Sequence, residues 1–307
     1  MAKRGVWTAL VTPFTQARGG TPQIDLEAFK KIIRDQREAK VAGVIPCGTT
    51  GESPTLSIEE KKTLIKTALE ELRGSGVGVI AGTGSNNTAE TIELSRWASE
   101  QGVEGVLIVT PYYNKPTQAG LEAHFLAIAD QVKCEVMLYN VPGRTGISLT
   151  AETIVKLAAH PRVRSLKEAT ANTAFTSEIL DQLHLSKRNM DVFSGDDATF
   201  LPLLSIGAVG VVSVASNLFP RAMVAIQAAA EQGQPVKAQE IHRKYYPLFR
   251  DLFIESNPSP VKAALHFAGW CESEVRLPLV QMTSPNLEKL KSTLKHSEVQ
   301  EGNRSPL

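Results

Sequence analysis

The sequence predicts an α/β fold: eight strand–helix units closed as a (β/α)8 TIM barrel, followed by a C-terminal helical extension. Three observations predict it. Short runs rich in Val, Ile and Leu recur at a spacing of roughly 30 residues. Longer amphipathic stretches separate most of them, and nearly every run ends in a cluster of small and polar residues. Such alternation requires parallel strands joined by helical crossovers, and eight units can close on themselves. An open doubly wound sheet is the rival arrangement of the same elements.

The strand runs, in order, are GVWTALV (5–11), AGVIPC (42–47), VGVIAG (77–82), GVLIVT (105–110), EVMLYN (135–140), VRSLK (163–167), DVFSG (191–195) and VGVVSV (209–214). Two intervening helices carry clear end signals. In SIEEKKTLIKTALEEL, Ser57 is placed to cap the N-terminus with Glu60 three residues on, and Gly102 is placed to close NTAETIELSRWASEQG. From about Phe219 to His296 the chain reads as helices with no further strand. The expected organisation is a catalytic barrel over 1–232, a helical extension over 233–297, and a disordered polar tail, EVQEGNRSPL, over 298–307.

Apolar residues make up 42% of the chain and charged residues 21%, enough to build a large core. A formal net charge of +1 provides no general field for nucleic acid or an anionic membrane, so neither is an expected partner. The opening MAKRGVWTALVTPF has threonines and Pro13 where a secretory or membrane segment would need an unbroken apolar run. Cys47, Cys134 and Cys271 are too few and too scattered for a disulfide framework or a zinc site. A cytoplasmic protein with free thiols is expected.

The polar clusters are CGTTGES, GTGSNN, TPYYNKP, YNVPGRTG, KEAT, SGDDA and SVASN, each at the end of a strand run. In a barrel those ends form one mouth, where chemistry sits. Lys167, at the end of an apolar run, is the most unusual of these residues. An ammonium entering a core is costly unless it is paired or neutral, so Lys167 either pairs with a neighbour such as Glu168, snorkels to solvent, or serves as an amine nucleophile toward a carbonyl. A phosphate clamp would need a G-x-x-x-x-G-K-[ST] cradle, which is missing there, and GTGSNN lacks the third glycine of a dinucleotide loop. Successive small residues around Thr49 and Thr50 suit a carboxylate-sized anion or an ordinary turn. Tyr112, Tyr113 and Tyr139 either plug the rim or relay protons, and Arg144 offers a planar fork for a carboxylate. The six histidines make no H-E-x-x-H, so a metal-free mechanism is preferred.

Taken together, GTTGES, AGTGSN, VTPYYNKP, YNVPGRTG, KEAT and SGDD, in that order over roughly residues 4 to 295, resemble the dihydrodipicolinate synthase family. That family belongs to the pyruvate-dependent class I aldolase (N-acetylneuraminate lyase) superfamily. The resemblance implies a barrel with C-terminal helices, in a homotetramer built as a dimer of dimers. It implies condensation of pyruvate with L-aspartate-4-semialdehyde to 4-hydroxy-tetrahydrodipicolinate, the first committed step toward diaminopimelate and lysine. No cofactor is implied, because Lys167 itself would form the Schiff base. Tyr139 matches the proton-relaying tyrosine, Thr49 its hydroxyl partner, and Tyr113 a tyrosine that reaches into a neighbouring subunit's site. Thr50, Gly195 and Val212 match pyruvate-pocket positions, Val212 standing where isoleucine is common. Arg144 matches the residue that receives the semialdehyde carboxylate.

Two other activities fit parts of the pattern. A sister aldolase acting on a sialic acid or a keto-deoxy sugar acid would share Lys167 and Tyr139, although the second threonine of GTTG and Arg144 speak against it. A non-catalytic pyruvate-binding sensor would not need the full set of reactive side chains. The resemblance also implies a lysine effector site at Ser53, Asn86, Glu90 and Tyr112. Ile58 and Lys61 stand there where lysine-sensitive members typically carry histidines, so weak feedback inhibition is expected.

Overall fold

The computed structural model describes residues 2–16 and 19–297, and the expected C-terminal tail lies outside the described residues. Its strands are β1 (Gly5–Ala9), β2 (Gly43–Ile45), β3 (Gly78–Gly82), β4 (Gly105–Val109), β5 (Glu135–Asn140), β6 (Val163–Glu168), β7 (Asp191–Ser194) and β8 (Gly210–Ser213). They form a closed barrel in sequence order, and β1–β2 and each neighbouring pair from β3–β4 to β7–β8 run parallel. All eight expected strands are present, and the rival open sheet is excluded. The observed strands stop short of several predicted ends because the chain leaves the ladder once it enters its polar cluster.

Helices α1 (Leu26–Glu38), α2 (Ile58–Glu71), α3 (Thr88–Glu100), α4 (Gln118–Ala129), α5 (Pro142–Thr145), α6 (Ala151–Leu157), α7 (Thr173–Leu185) and α8 (Phe200–Ser205) lie between the strands. After β8 come α9 (Pro220–Glu231), α10 (Pro235–Asp251), α11 (Ser259–Phe267) and α12 (Ser284–His296). Ser57 and Glu60 form the expected reciprocal capping box on α2. Asp25, Asn87, Thr117, Thr150 and Asn172 likewise accept from first-turn N–H groups of α1, α3, α4, α6 and α7. Each such cap contributes about 1 kcal/mol and fixes where a loop ends and its helix begins. Gly102 follows α3 with φ 90°, the left-handed geometry that ends a helix readily only at a residue without a Cβ.

By contact density the described chain falls into two units. One combines the chain up to Gly5 with Gly78–Val212, and the other combines Val6–Val77 with the chain from Ser213 onward. In the first, β4 to β7 pair in parallel, with one register shift between Val136 and Met137 of β5. Ile108, Leu138, Leu166 and Val192 align across neighbouring strands, and all are buried. Burying each such side chain contributes about 1.5–3 kcal/mol, which is why these runs read as unbroken apolar stretches in the sequence.

In the second unit, Trp7 of β1 is fully buried beside Gly43 of β2, where a Cβ would overlap the indole ring. Behind them Thr8 Oγ1 donates to Gln36 Oε1 at 2.6 Å, while Gln36 Nε2 donates to the Ser216 carbonyl at 3.0 Å. The segments after β8 are therefore tied to β1 and α1 by buried hydrogen bonds as well as by apolar packing.

Candidate active site

Register explains the central pair of the first unit. Tyr139 of β5 and Lys167 of β6 are direct partners in a parallel ladder, so their side chains emerge on the same face. Lys167 is buried, and its Nζ lies 4.2 Å from the centroid of the Tyr139 ring. Among the described residues no carboxylate pairs with it. Glu168, one residue on, projects from the opposite face and aligns with Asn140. One carboxylate oxygen of Glu168 accepts from Asn140 Nδ2 at 2.9 Å, and the other accepts from the Thr170 N–H. Burial pushes the Glu168 carboxyl above the usual carboxylate range, against those hydrogen bonds.

Both bland readings of Lys167 therefore fail. Strand alternation separates it from Glu168, and with 5% of its surface exposed it does not snorkel to solvent. Sequence reasoning did not single out Asn140, and it named Glu168 only as a pairing partner for Lys167. Their signal is positional, since each directly follows a candidate at a strand end.

Gly195 follows β7 and donates its N–H to the Glu168 carbonyl at 2.6 Å. A Cβ there would lie 3.0 Å from that carbonyl oxygen and closer still to the Ala169 methyl, so the tight approach of the two strand ends admits only glycine. Val212 is fully buried in β8. Arg144 is exposed on α5, the single turn that follows β5 and is closed by Gly146 at φ 74°. Tyr113 is 89% exposed and holds φ 72°, a left-handed conformation rare for an aromatic residue. Beside it, Asn86 Nδ2 donates to the Tyr112 carbonyl at 3.2 Å, and Glu90 is exposed in the first turn of α3.

In the second unit, Thr49 and Thr50 follow β2 in a compact turn. Gly51 and Glu52 donate to the carbonyls of Gly48 and Thr49 at 3.1 Å. Among the described residues, the N–H groups of Thr49 and Thr50 find no acceptor. Thr49 is half-buried, while Thr50 is buried with its hydroxyl accepting from Asn257 Nδ2 at 2.9 Å. Ser53 is half-buried, Ile58 is exposed, and Lys61 is half-buried on α2. The described residues hold no cluster of His, Cys, Asp and Glu able to bind a metal, and no helix among them is long and apolar enough to cross a membrane.

A closed parallel barrel that presents a buried, carboxylate-free lysine beside a tyrosine at its strand ends belongs to the enzymatic barrels that work from that rim. More particularly, the chain belongs to the dihydrodipicolinate synthetase family, whose model matches residues 2–297. It is 48% identical to the 4-hydroxy-tetrahydrodipicolinate synthase of Leptospira biflexa serovar Patoc over 280 residues, 91% of this chain and 92% of the relative. The structure of that enzyme from the methanotroph Methylacidiphilum fumariolicum SolV is 44% identical, with a TM-score of 0.91 over 96% of each chain. The chloride-inhibited dihydrodipicolinate synthase of Acinetobacter baumannii, complexed with pyruvate, is 39% identical with a TM-score of 0.91, covering 96% of this chain and 99% of that one.

Proposed function

We propose that this chain is a lyase that condenses pyruvate with L-aspartate-4-semialdehyde to give 4-hydroxy-tetrahydrodipicolinate, on the route to diaminopimelate and lysine. The observation that carries the mechanism is Lys167, buried beside Tyr139 with no carboxylate partner among the described residues. The Lys167 amine attacks the pyruvate ketone, and loss of water leaves an iminium. Loss of a methyl proton turns the iminium into an enamine, whose carbon attacks the semialdehyde carbonyl to form the new carbon–carbon bond. The semialdehyde-derived amine then displaces Lys167, closing the ring and freeing the enzyme.

Tyr139 carries protons in these steps, with Thr49 and Tyr113 as the other hydroxyls of the relay. Thr50, Gly195 and Val212 line the pyruvate pocket, and Arg144 receives the semialdehyde carboxylate. The exposure of Tyr113 suits a side chain that completes a neighbouring subunit's site in a homotetramer. The exposure of Arg144 suits a residue that meets an incoming substrate. No cofactor takes part, and the enzyme is placed in the cytoplasm.

The test offers pyruvate with either aspartate semialdehyde or N-acetylmannosamine, alongside borohydride trapping of the pyruvate adduct. Turnover with the semialdehyde and one reduced pyruvate on the Lys167 peptide are expected. Preference for the sugar would identify a sister aldolase, and labelling elsewhere, or none, would defeat the lysine assignment.

The same reading gives weak or absent feedback inhibition by L-lysine. Lys61 is half-buried and so not fully withdrawn into solvent. Two like charges about 4 Å apart repel by roughly 1 kcal/mol in bulk water and about 4 kcal/mol at an effective dielectric near 20. In an L-lysine titration, Lys61→His, alone or with Ile58→His, should be inhibited more strongly than the wild type. A wild type inhibited as tightly as the histidine variants would show that Lys61 does not oppose the effector.

A further inference from the structure

The GTTG turn (48–51) is bracketed by two strained residues and held from the C-terminal part of the chain. Cys47 and Glu52 both have left-handed φ, 60° and 56°, without being glycine. Such conformations persist only where surrounding contacts over-determine them. Those contacts are present. Lys262 Nζ on α11 donates to Glu52 Oε1 at 2.7 Å and to the Thr12 carbonyl at 2.9 Å. The Arg276 N–H donates to Glu52 Oε2 at 3.0 Å, and the Arg276 guanidinium donates to the Thr55 carbonyl at 2.9 Å. Thr12 Oγ1 donates to the Gly51 carbonyl at 2.7 Å, and Asn257 Nδ2 reaches Thr50 Oγ1.

We propose that Asn257 is a positioning residue that aims the Thr50 hydroxyl at the carboxylate of pyruvate. A hydroxyl has one proton and two lone pairs. With a lone pair of Thr50 Oγ1 taken by the Asn257 amide, the proton is left for another acceptor, and an anion is the acceptor that gains most from it. Thr50 is buried, and its backbone N–H and that of Thr49 are uncommitted among the described residues, so the turn offers its donors together. Asn257 is itself buried and lies just before α11, the helix whose Lys262 fixes the loop's far end. The segment after the barrel thus contributes to substrate binding without touching substrate. This inference rests on the proposed role of Thr50 in the pyruvate pocket.

The experiment measures the pyruvate concentration that half-saturates borohydride trapping on Lys167. Asn257→Ala should raise it about 10-fold, the scale of one hydrogen bond to a charged group. The near-isosteric Asn257→Asp should raise it at least as much, because a carboxylate accepts the Thr50 proton and repels the substrate anion. The KM for the semialdehyde should change by less than about twofold in the same variants. In a Thr50→Val background, Asn257→Ala should add almost nothing.

Wild-type half-saturation in Asn257→Asp would overturn the proposal, as would an undiminished effect of Asn257→Ala in the Thr50→Val background. Thermal melts check folding, and the aspartate variant carries the test if the alanine variant does not fold. A wild type that traps no pyruvate would instead defeat the lysine mechanism, which separates the two failures.

Discussion

Lys167→Arg is expected to lose both pyruvate trapping and detectable turnover while still folding. Lysine can supply a neutral amine, but a guanidinium stays protonated at any working pH and cannot attack a ketone. The arginine head is larger, and the centroid of the Tyr139 ring already lies 4.2 Å from the present Nζ. Lys167→Ala removes the group without adding bulk, so equal loss in both variants separates missing chemistry from crowding. The same alanine variant also examines Tyr113. Lys167→Ala and Tyr113→Phe subunits, each inactive alone, should regain activity when exchanged into mixed oligomers, because some sites then contain both intact residues. Labelled Lys167→Arg protein would overturn the nucleophile. Demonstrated hetero-oligomers with no recovery would remove Tyr113 from a neighbouring subunit's site.

What made Lys167 legible in the sequence is the same physics that builds the barrel. Strands buried on both faces read as apolar runs, so a lysine at the end of VRSLK stands out, as does each polar cluster that follows a run. The capping box of α2 was equally plain, because Ser57 and Glu60 are only three residues apart. Sequence proximity was misleading for Glu168. It is adjacent to Lys167 in the chain, but it belongs to the other face of β6 and to Asn140. Long-range partners left no local signal at all. The contacts of Asn257 with Thr50 and of Lys262 with Glu52 span 207 and 210 residues, and the segment NPSPVK reads only as the start of another helix. Pattern reading recovers faces and caps; it does not recover which distant polar groups meet once those faces are packed.

Lys262→Met is expected to lower unfolding stability by about 3–5 kcal/mol, the usual cost of removing one member of a buried ion pair. The Lys262 and Glu52 side chains are both 0% exposed, with Nζ 2.7 Å from Oε1. Lys262 also lies 4.1 Å from the centroid of the Phe14 ring, so its ammonium is held by a carboxylate, a carbonyl and an aromatic face with no access to water. Burial pushes that ammonium below the usual lysine range, although Glu52 opposes the shift. Methionine fills much of the same volume, so the loss comes mainly from stranding the Glu52 carboxylate rather than from opening a cavity. Adding Glu52→Gln to Lys262→Met should therefore recover a large part of the stability, since the buried charge is then gone while an amide oxygen can still accept from the Arg276 N–H. Equilibrium denaturation of the two single variants and the double variant decides the matter. If the double variant is as unstable as the sum of the two singles, the pair is not coupled, and Lys262 acts through its contacts with Thr12 and Phe14 alone.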